Sequence, residues 1–143
     1  MKKTILAVLL AVLCFSFCAS AETVPAAGAV SGALWENAVY LTDTELGTGA
    51  AWFTAEVTAG ETSVLFTVHT DADTVGAALL ENDLIAGEDS EFGLYVKVVN
   101  GITADYDIDQ SYWAFYINGG YAMTGVDGTA VENGAAYQFV YTK

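Results

Sequence analysis

The sequence predicts an α+β fold in which one helix packs across a mixed β-sheet built from hairpins. Short runs rich in Val, Phe, Trp and Tyr alternate apolar and polar positions, and Asn-Gly pairs sit between such runs. A single stretch near residues 74–82 switches to helical spacing. The 143 residues are 54% hydrophobic and 15% charged, the balance of a folded chain, and the length suits one domain.

The elements follow in order. Ala51-Trp-Phe-Thr-Ala-Glu-Val57 and Ser63-Val-Leu-Phe-Thr-Val-His69 read as a hairpin with its loop at 58–62. Val64, Phe66 and Val68 form the inward row of the second strand. Val75, Ala78, Leu79 and Asn82 then fall on one helical face, with Asp73 or Thr74 placed to cap the first turn and Gly87 just past the end. Leu94-Tyr-Val-Lys-Val-Val99 returns to alternation, and Asn100-Gly101 turns it into Ile102-Thr-Ala104. Tyr112-Trp-Ala-Phe-Tyr-Ile117 meets Asn118-Gly119 and returns as Tyr121-Ala-Met-Thr124. The turn Glu132-Asn-Gly134 leads into a last strand, Ala136-Tyr-Gln-Phe-Val-Tyr141. A hairpin, a helix that needs a sheet to cover, and then further strands form the β-grasp order.

The N-terminus is expected to be removed. Lys2 and Lys3 precede an apolar run, Ile5 to Phe17, and Ala19-Ser-Ala21 offers the small-x-small site that signal peptidase reads. The division expected is a signal peptide at 1–21, a flexible leader at 22–33 holding the only proline, and a domain at 34–143. Phe17 precedes Cys18 and Leu13 precedes Cys14, so neither cysteine has the small neighbour that lipidation requires. The protein is therefore expected to be secreted or extracytoplasmic, with no membrane insertion once the signal is cut.

Cleavage takes both cysteines with it and leaves Lys97 and Lys143 as the only side-chain cations against 18 acids. Thiol catalysis and thiolate metal sites are thereby excluded. A chain without Arg and with a net charge already at −14 lacks the basic footprint of a nucleic-acid binder. It also lacks the guanidinium fork that clamps phosphate or carboxylate substrates.

Three groups of residues are candidates for chemistry. Asp105, Asp107 and Asp109 have the spacing of the first half of a calcium loop, but Gln110 stands where that loop needs Gly and Tyr116 where it needs Glu. The favoured reading is a solvated acidic connection, with weak calcium binding as the lesser one. His69 is the only histidine, and Ser63 and Ser111 carry no nucleophile motif, so no triad is expected and the protein is read as a non-enzyme. Acid pairs acting on polysaccharide remain a third class, although no spacing selects a pair. The aromatic cluster Tyr112, Trp113, Phe115, Tyr116, Tyr121, Tyr137, Phe139 and Tyr141 is the richest signal. If Trp113, Phe115 and Ile117 point inward then Tyr112 and Tyr116 point outward, and the reverse holds if the register flips. It forms either a core with amphipathic tyrosines or a platform for a flat apolar ligand or a partner.

The words Thr74-Val-Gly-Ala-Ala-Leu-Leu80, Gly93-Leu-Tyr-Val-Lys-Val-Val-Asn-Gly-Ile-Thr-Ala104, Tyr112-Trp-Ala-Phe-Tyr-Ile-Asn-Gly119 and Tyr121-Ala-Met-Thr-Gly-Val-Asp127 resemble the transcobalamin-like C-terminal domain family of secreted bacterial proteins. That family is similar to the small β-domain of transcobalamin and intrinsic factor, and the resemblance implies a soluble-ligand-binding β-grasp domain. It implies that Tyr112 and Trp113 match a Tyr-Trp pair, Asn118 and Gly119 a turn, and Gly125 and Val126 a closing segment. Tyr121 and Met123 are expected near the ligand. The helical barrel that completes the site in the animal carriers is not expected within these 143 residues, and Gln110 departs from the Gly that often ends the acidic loop. The expected function is a secreted, non-catalytic module that requires no cofactor and binds a small molecule, with cobalamin or a related corrinoid as the best candidate. The alternative is a structural or protein-interaction module of the cell envelope, its partner a second envelope or uptake protein. Oligomeric state carries no signature in the sequence.

Overall fold

A computed structural model describes residues 30–143. The expected signal peptide and most of the expected leader lie outside the described residues. The first strands are β1 (Thr44–Gly47), β2 (Ala51–Ala59) and β3 (Thr62–Thr70), followed by helix α1 (Val75–Glu81). Then come β4 (Ile85–Ser90), β5 (Gly93–Val99), β6 (Ile102–Thr103), the single-turn helix α2 (Tyr106–Asp109), β7 (Tyr112–Ile117), β8 (Gly120–Tyr121) and β9 (Ala136–Thr142). Short 3-10 turns occupy Ala33–Trp35 and Val126–Gly128.

Two sheets result. The larger is mixed, in the order β1-β3-β2-β9-β7-β8, with β1 parallel to β3 and β9 parallel to β2; the smaller is the antiparallel β4-β5-β6. Alternation puts Phe53, Ala55, Val57, Val64, Phe66, Val68, Tyr137 and Phe139 on one face of the large sheet, all of them buried. Burying each of the larger of these side chains stabilises by about 1.5–3 kcal/mol. The same core takes in Val75, Ala78 and Leu79 of α1 and Ile85, Val99 and Ile102 of the small sheet. The class is α+β and rich in strand. Among the described residues no helix is long and apolar enough to cross a membrane.

Local signals explain most elements. Thr74 caps α1 by accepting a hydrogen bond from the Ala77 N–H on Oγ1 (3.1 Å). Asn100-Gly101 and Asn118-Gly119 turn with positive φ at both residues (52° and 81°, 48° and 87°), as a two-residue hairpin demands.

Several expectations shift. The loop at 58–62 tightens to Gly60-Glu61, because β2 and β3 pair from Ala59↔Thr62 onward. Gly87 does not end the helix. Its backbone crosses so close to Tyr95 that a Cβ would sit 2.0 Å from the Tyr95 carbonyl oxygen, at a bulge between Ala86 and Gly87. The return strand expected at 121–124 shrinks to Gly120–Tyr121, plus one bond from the Ala122 N–H to the Phe115 carbonyl (3.0 Å). Val30, assigned to the leader by composition, is buried, and its N–H donates to the Leu41 carbonyl (2.8 Å). The packed chain therefore includes residues ahead of Leu34.

Candidate functional site

The face of the large sheet decides what the aromatic cluster can do. Cross-strand partners Trp113↔Tyr141, Phe115↔Phe139 and Ile117↔Tyr137 share the inner face. Phe115 stacks between Phe139 (centroids 5.1 Å apart) and Tyr137 (6.0 Å), and Tyr141 meets Trp113 edge-on at 5.6 Å. Trp113 donates its indole N–H to the Ile102 carbonyl (3.3 Å), which fixes the ring against the small sheet. Tyr112 and Tyr116 stand on the outer face, where Tyr121 packs edge-on against Tyr116 at 5.5 Å.

Between the two sheets the inner face opens into a narrow cleft of about 150 Å3. It is lined by Leu94, Tyr95 and Val96 of β5, by Trp113, Phe115 and Phe139 of the large sheet, and by Gly125 and Val126 at its end. Among the described residues no Asp, Glu, Lys or His lines it, so it suits a flat apolar group. Gly125 also borders a wider, more open hollow of about 480 Å3 whose wall includes Phe92, Gly93, Met123, Thr124 and Asp127. Phe92 and Met123 there are almost fully exposed, at 90% and 93%. A third hollow, about 320 Å3 between residues 31–35 and 59–62, is walled largely by small residues and offers no paired rings.

The closing segment is held in place from three sides. Asp127 Oδ2 accepts the Leu94 N–H (3.0 Å), Thr129 Oγ1 donates to the Gly125 carbonyl (2.8 Å), and the Val75 N–H donates to the Thr129 carbonyl (2.9 Å). A Cβ on Gly93 would lie 2.7 Å from the Asp127 carboxylate, and one on Gly76 3.0 Å from its backbone, so both glycines permit this approach.

The residues singled out from sequence thus fall in three places. Trp113, Gly125 and Val126 line the cleft, and Met123 stands in the adjoining hollow. Tyr112 and Tyr121 are on the opposite face of the sheet, while Asn118 and Gly119 form an exposed turn at its edge, with Asn118 Oδ1 accepting the Ala136 N–H (2.9 Å). Phe92, Leu94, Tyr95, Val96 and Asp127 were not singled out. Leu94 and Val96 were visible as one row of an alternating strand, whereas Phe92 and Asp127 carry no local signal.

The acidic run is put to local use. Asp105 caps α2 by accepting the Asp107 N–H, and Asp109 Oδ1 accepts both the N–H and the hydroxyl of Ser111. Those Ser111 bonds, with help from Lys143 at 3.6 Å, hold the Asp109 carboxyl below its usual range. Lys97 bonds Glu88 (3.1 Å) and lies 3.6 Å from Asp105, and Glu88 is the main reason its ammonium titrates above the usual value. Burial pushes the Tyr137 phenol up, and its hydroxyl donates to the Ala130 carbonyl (3.3 Å). Gln110 ends α2 in the left-handed conformation (φ 66°), where a glycine would fit. Among the described residues, no three His, Cys, Asp or Glu side chains converge as metal ligands would.

Fold and cleft together define a small two-sheet α+β domain with an apolar slot between its sheets. Residues 72–143 match the family described as "Domain of unknown function (DUF4430)", and the chain belongs to that family. It is similar to a crystal structure from Ruminococcus gnavus ATCC 29149 whose description proposes metal binding. The two share 32% identity with a TM-score of 0.62 over 66% of this chain and 98% of that one. It is also similar to haptocorrin, solved in complex with Cbi, at 20% identity and a TM-score of 0.54 over 65% of this chain. The chain spans 25% of haptocorrin, and the likeness there is one of fold. No curated protein matches the chain.

Proposed function

We propose that this protein is a secreted, non-catalytic binding module of transcobalamin-like, β-grasp type, and that its inter-sheet cleft takes a flat apolar ligand, with a corrinoid as the leading candidate. The observation that carries the reading is the slot itself. Trp113, Phe115 and Phe139 face Leu94 and Val96 across a gap that the core leaves unfilled, and Gly125-Val126 bounds its end. Haptocorrin, which shares the fold at coarse level, was solved with Cbi, and this supports a small-molecule ligand. The slot is too small to enclose a corrinoid, so most of such a ligand stays wet. Micromolar affinity is the expectation unless a second chain closes over the site.

Equilibrium dialysis of the mature protein against cobalamin, with and without calcium, tests the proposal. Saturable binding that calcium does not alter supports it. No saturable binding below about 1 mM, a threshold near −4 kcal/mol, removes the corrinoid reading.

A second reading rests on the exposed Phe92 and Met123, two large apolar side chains beside one opening. On that reading the rim docks a second envelope or uptake protein. Phe92→Ser with Met123→Ser would then abolish partner association, whereas Val96→Ala in the cleft would leave that association intact.

A further inference from the structure

Cleft and hollow meet at Gly125 but differ in chemistry. The cleft is walled by aliphatic and aromatic groups, whereas the hollow has Phe92 and Met123 on its walls and the Asp127 carboxylate among them. Asp127 Oδ2 is engaged by the Leu94 N–H, which fixes the carboxylate's orientation. Among the described residues no cation pairs with it. Lys97 is held by Glu88 and Asp105, Lys143 lies beside Asp109, and His69 lies beside Glu45. A carboxylate fixed in a hollow, flanked by an exposed aromatic ring and a thioether, is matched by a positively charged amine or an amide N–H group.

We infer that the hollow beside the cleft is a charge-selective subsite: the ligand carries a flat apolar body for the cleft and an ammonium or amide arm for Asp127, and molecules with a carboxylate arm are rejected. The inference rests on the cleft being a ligand site. Asp127 is the selectivity residue. It also positions the closing segment through Leu94, so the variant that isolates its charge is Asp127→Asn, whose side-chain oxygen can still accept the Leu94 N–H.

The test uses a matched pair of probes with one flat body and opposite arms, 2-naphthylmethylamine and 2-naphthoic acid. Each is titrated into 15N-labelled protein and followed by the amide shifts of Leu94, Trp113 and Gly125. The amine should bind at least about threefold more tightly, within the range measured for exposed ion pairs. The preference should shrink when salt rises from about 20 to about 500 mM, and it should vanish in Asp127→Asn. Val96→Ala, at a half-buried position on the cleft face of β5, should weaken both probes together.

Equal affinity for the two probes at the cleft, or a preference that survives Asp127→Asn, would overturn the inference and leave the cleft standing as a site. Absence of shifts at Leu94, Trp113 and Gly125 with either probe would overturn the cleft reading, and the inference with it.

Discussion

Asn100 is the position where one side chain holds most together. It is fully buried, its Nδ2 donates to the Tyr40 carbonyl (2.9 Å) and its Oδ1 accepts the Tyr40 N–H (2.9 Å). Its own backbone accepts the Val39 N–H (3.0 Å) and donates to Leu84 (2.8 Å), all while φ is 52°. Asn100→Ala leaves both Tyr40 backbone groups without their partner, at about 1–3 kcal/mol each, and replaces Asn, which tolerates the left-handed conformation, by Ala, which does so less well, for about 1 kcal/mol more. The sum is about 3–7 kcal/mol, a large share of the 5–15 kcal/mol of an ordinary domain. At roughly 3–5 °C per kcal/mol for a domain of this size, the thermal midpoint should fall by about 10–35 °C. Asn100→Gly keeps the backbone freedom and should recover about 1 kcal/mol of that loss. Differential scanning calorimetry of both variants, beside Asn118→Ala at the exposed turn, separates the contributions. A fall under about 3 °C for Asn100→Ala, or one equal to that of Asn118→Ala, would refute the clamp between this turn and the segment at Tyr40.

Other outcomes follow from the same geometry. Starting the chain at Leu34 rather than Val30 should lower stability by about 1–3 kcal/mol, through lost burial and the lost bond to Leu41, as urea titration would show. Gly87→Ala should destabilise by several kcal/mol, because its Cβ has no room against the Tyr95 backbone, and it should weaken any ligand in the cleft that β5 walls. Asp109 has a folded-state pKa below its ordinary 3.8, so its contribution is present above that value and lost as pH falls through the lower folded one. The midpoint difference between wild type and Asp109→Asn should therefore close on acidification below about pH 3.8, which a calorimetric pH series reads.

The β2–β3 hairpin, α1 and the β7 and β9 strands were legible because each carries its own periodicity and turn chemistry. Val64, Phe66 and Val68 repeat at two, Val75, Ala78 and Leu79 at helical spacing, and the Asn-Gly pairs sit where the chain reverses. β1 and β4 were not. Thr44-Glu-Leu-Gly47 is a short edge strand, and Ile85-Ala-Gly-Glu-Asp-Ser90 is made of residues that strands disfavour, held there by pairing with β5. The candidate site was legible by halves for a related reason. Alternation says that Trp113 and Tyr112 oppose each other, but only the packing of the small sheet says which of them faces a cleft. Asp127 and Phe92 reach that opening through tertiary approach alone, beside Gly93, and no local pattern announces them.

The central question is where on the two sheets a flat ligand sits. Amide and indole shifts of the labelled protein, mapped during titration with cobalamin, address this directly. Saturating changes at Leu94, Tyr95, Trp113, Phe115 and Gly125, with the Tyr112–Tyr116–Tyr121 face unmoved, are the predicted result. Changes confined to Tyr112, Tyr116 and Tyr121, or none up to about 1 mM, would contradict the cleft as the binding site.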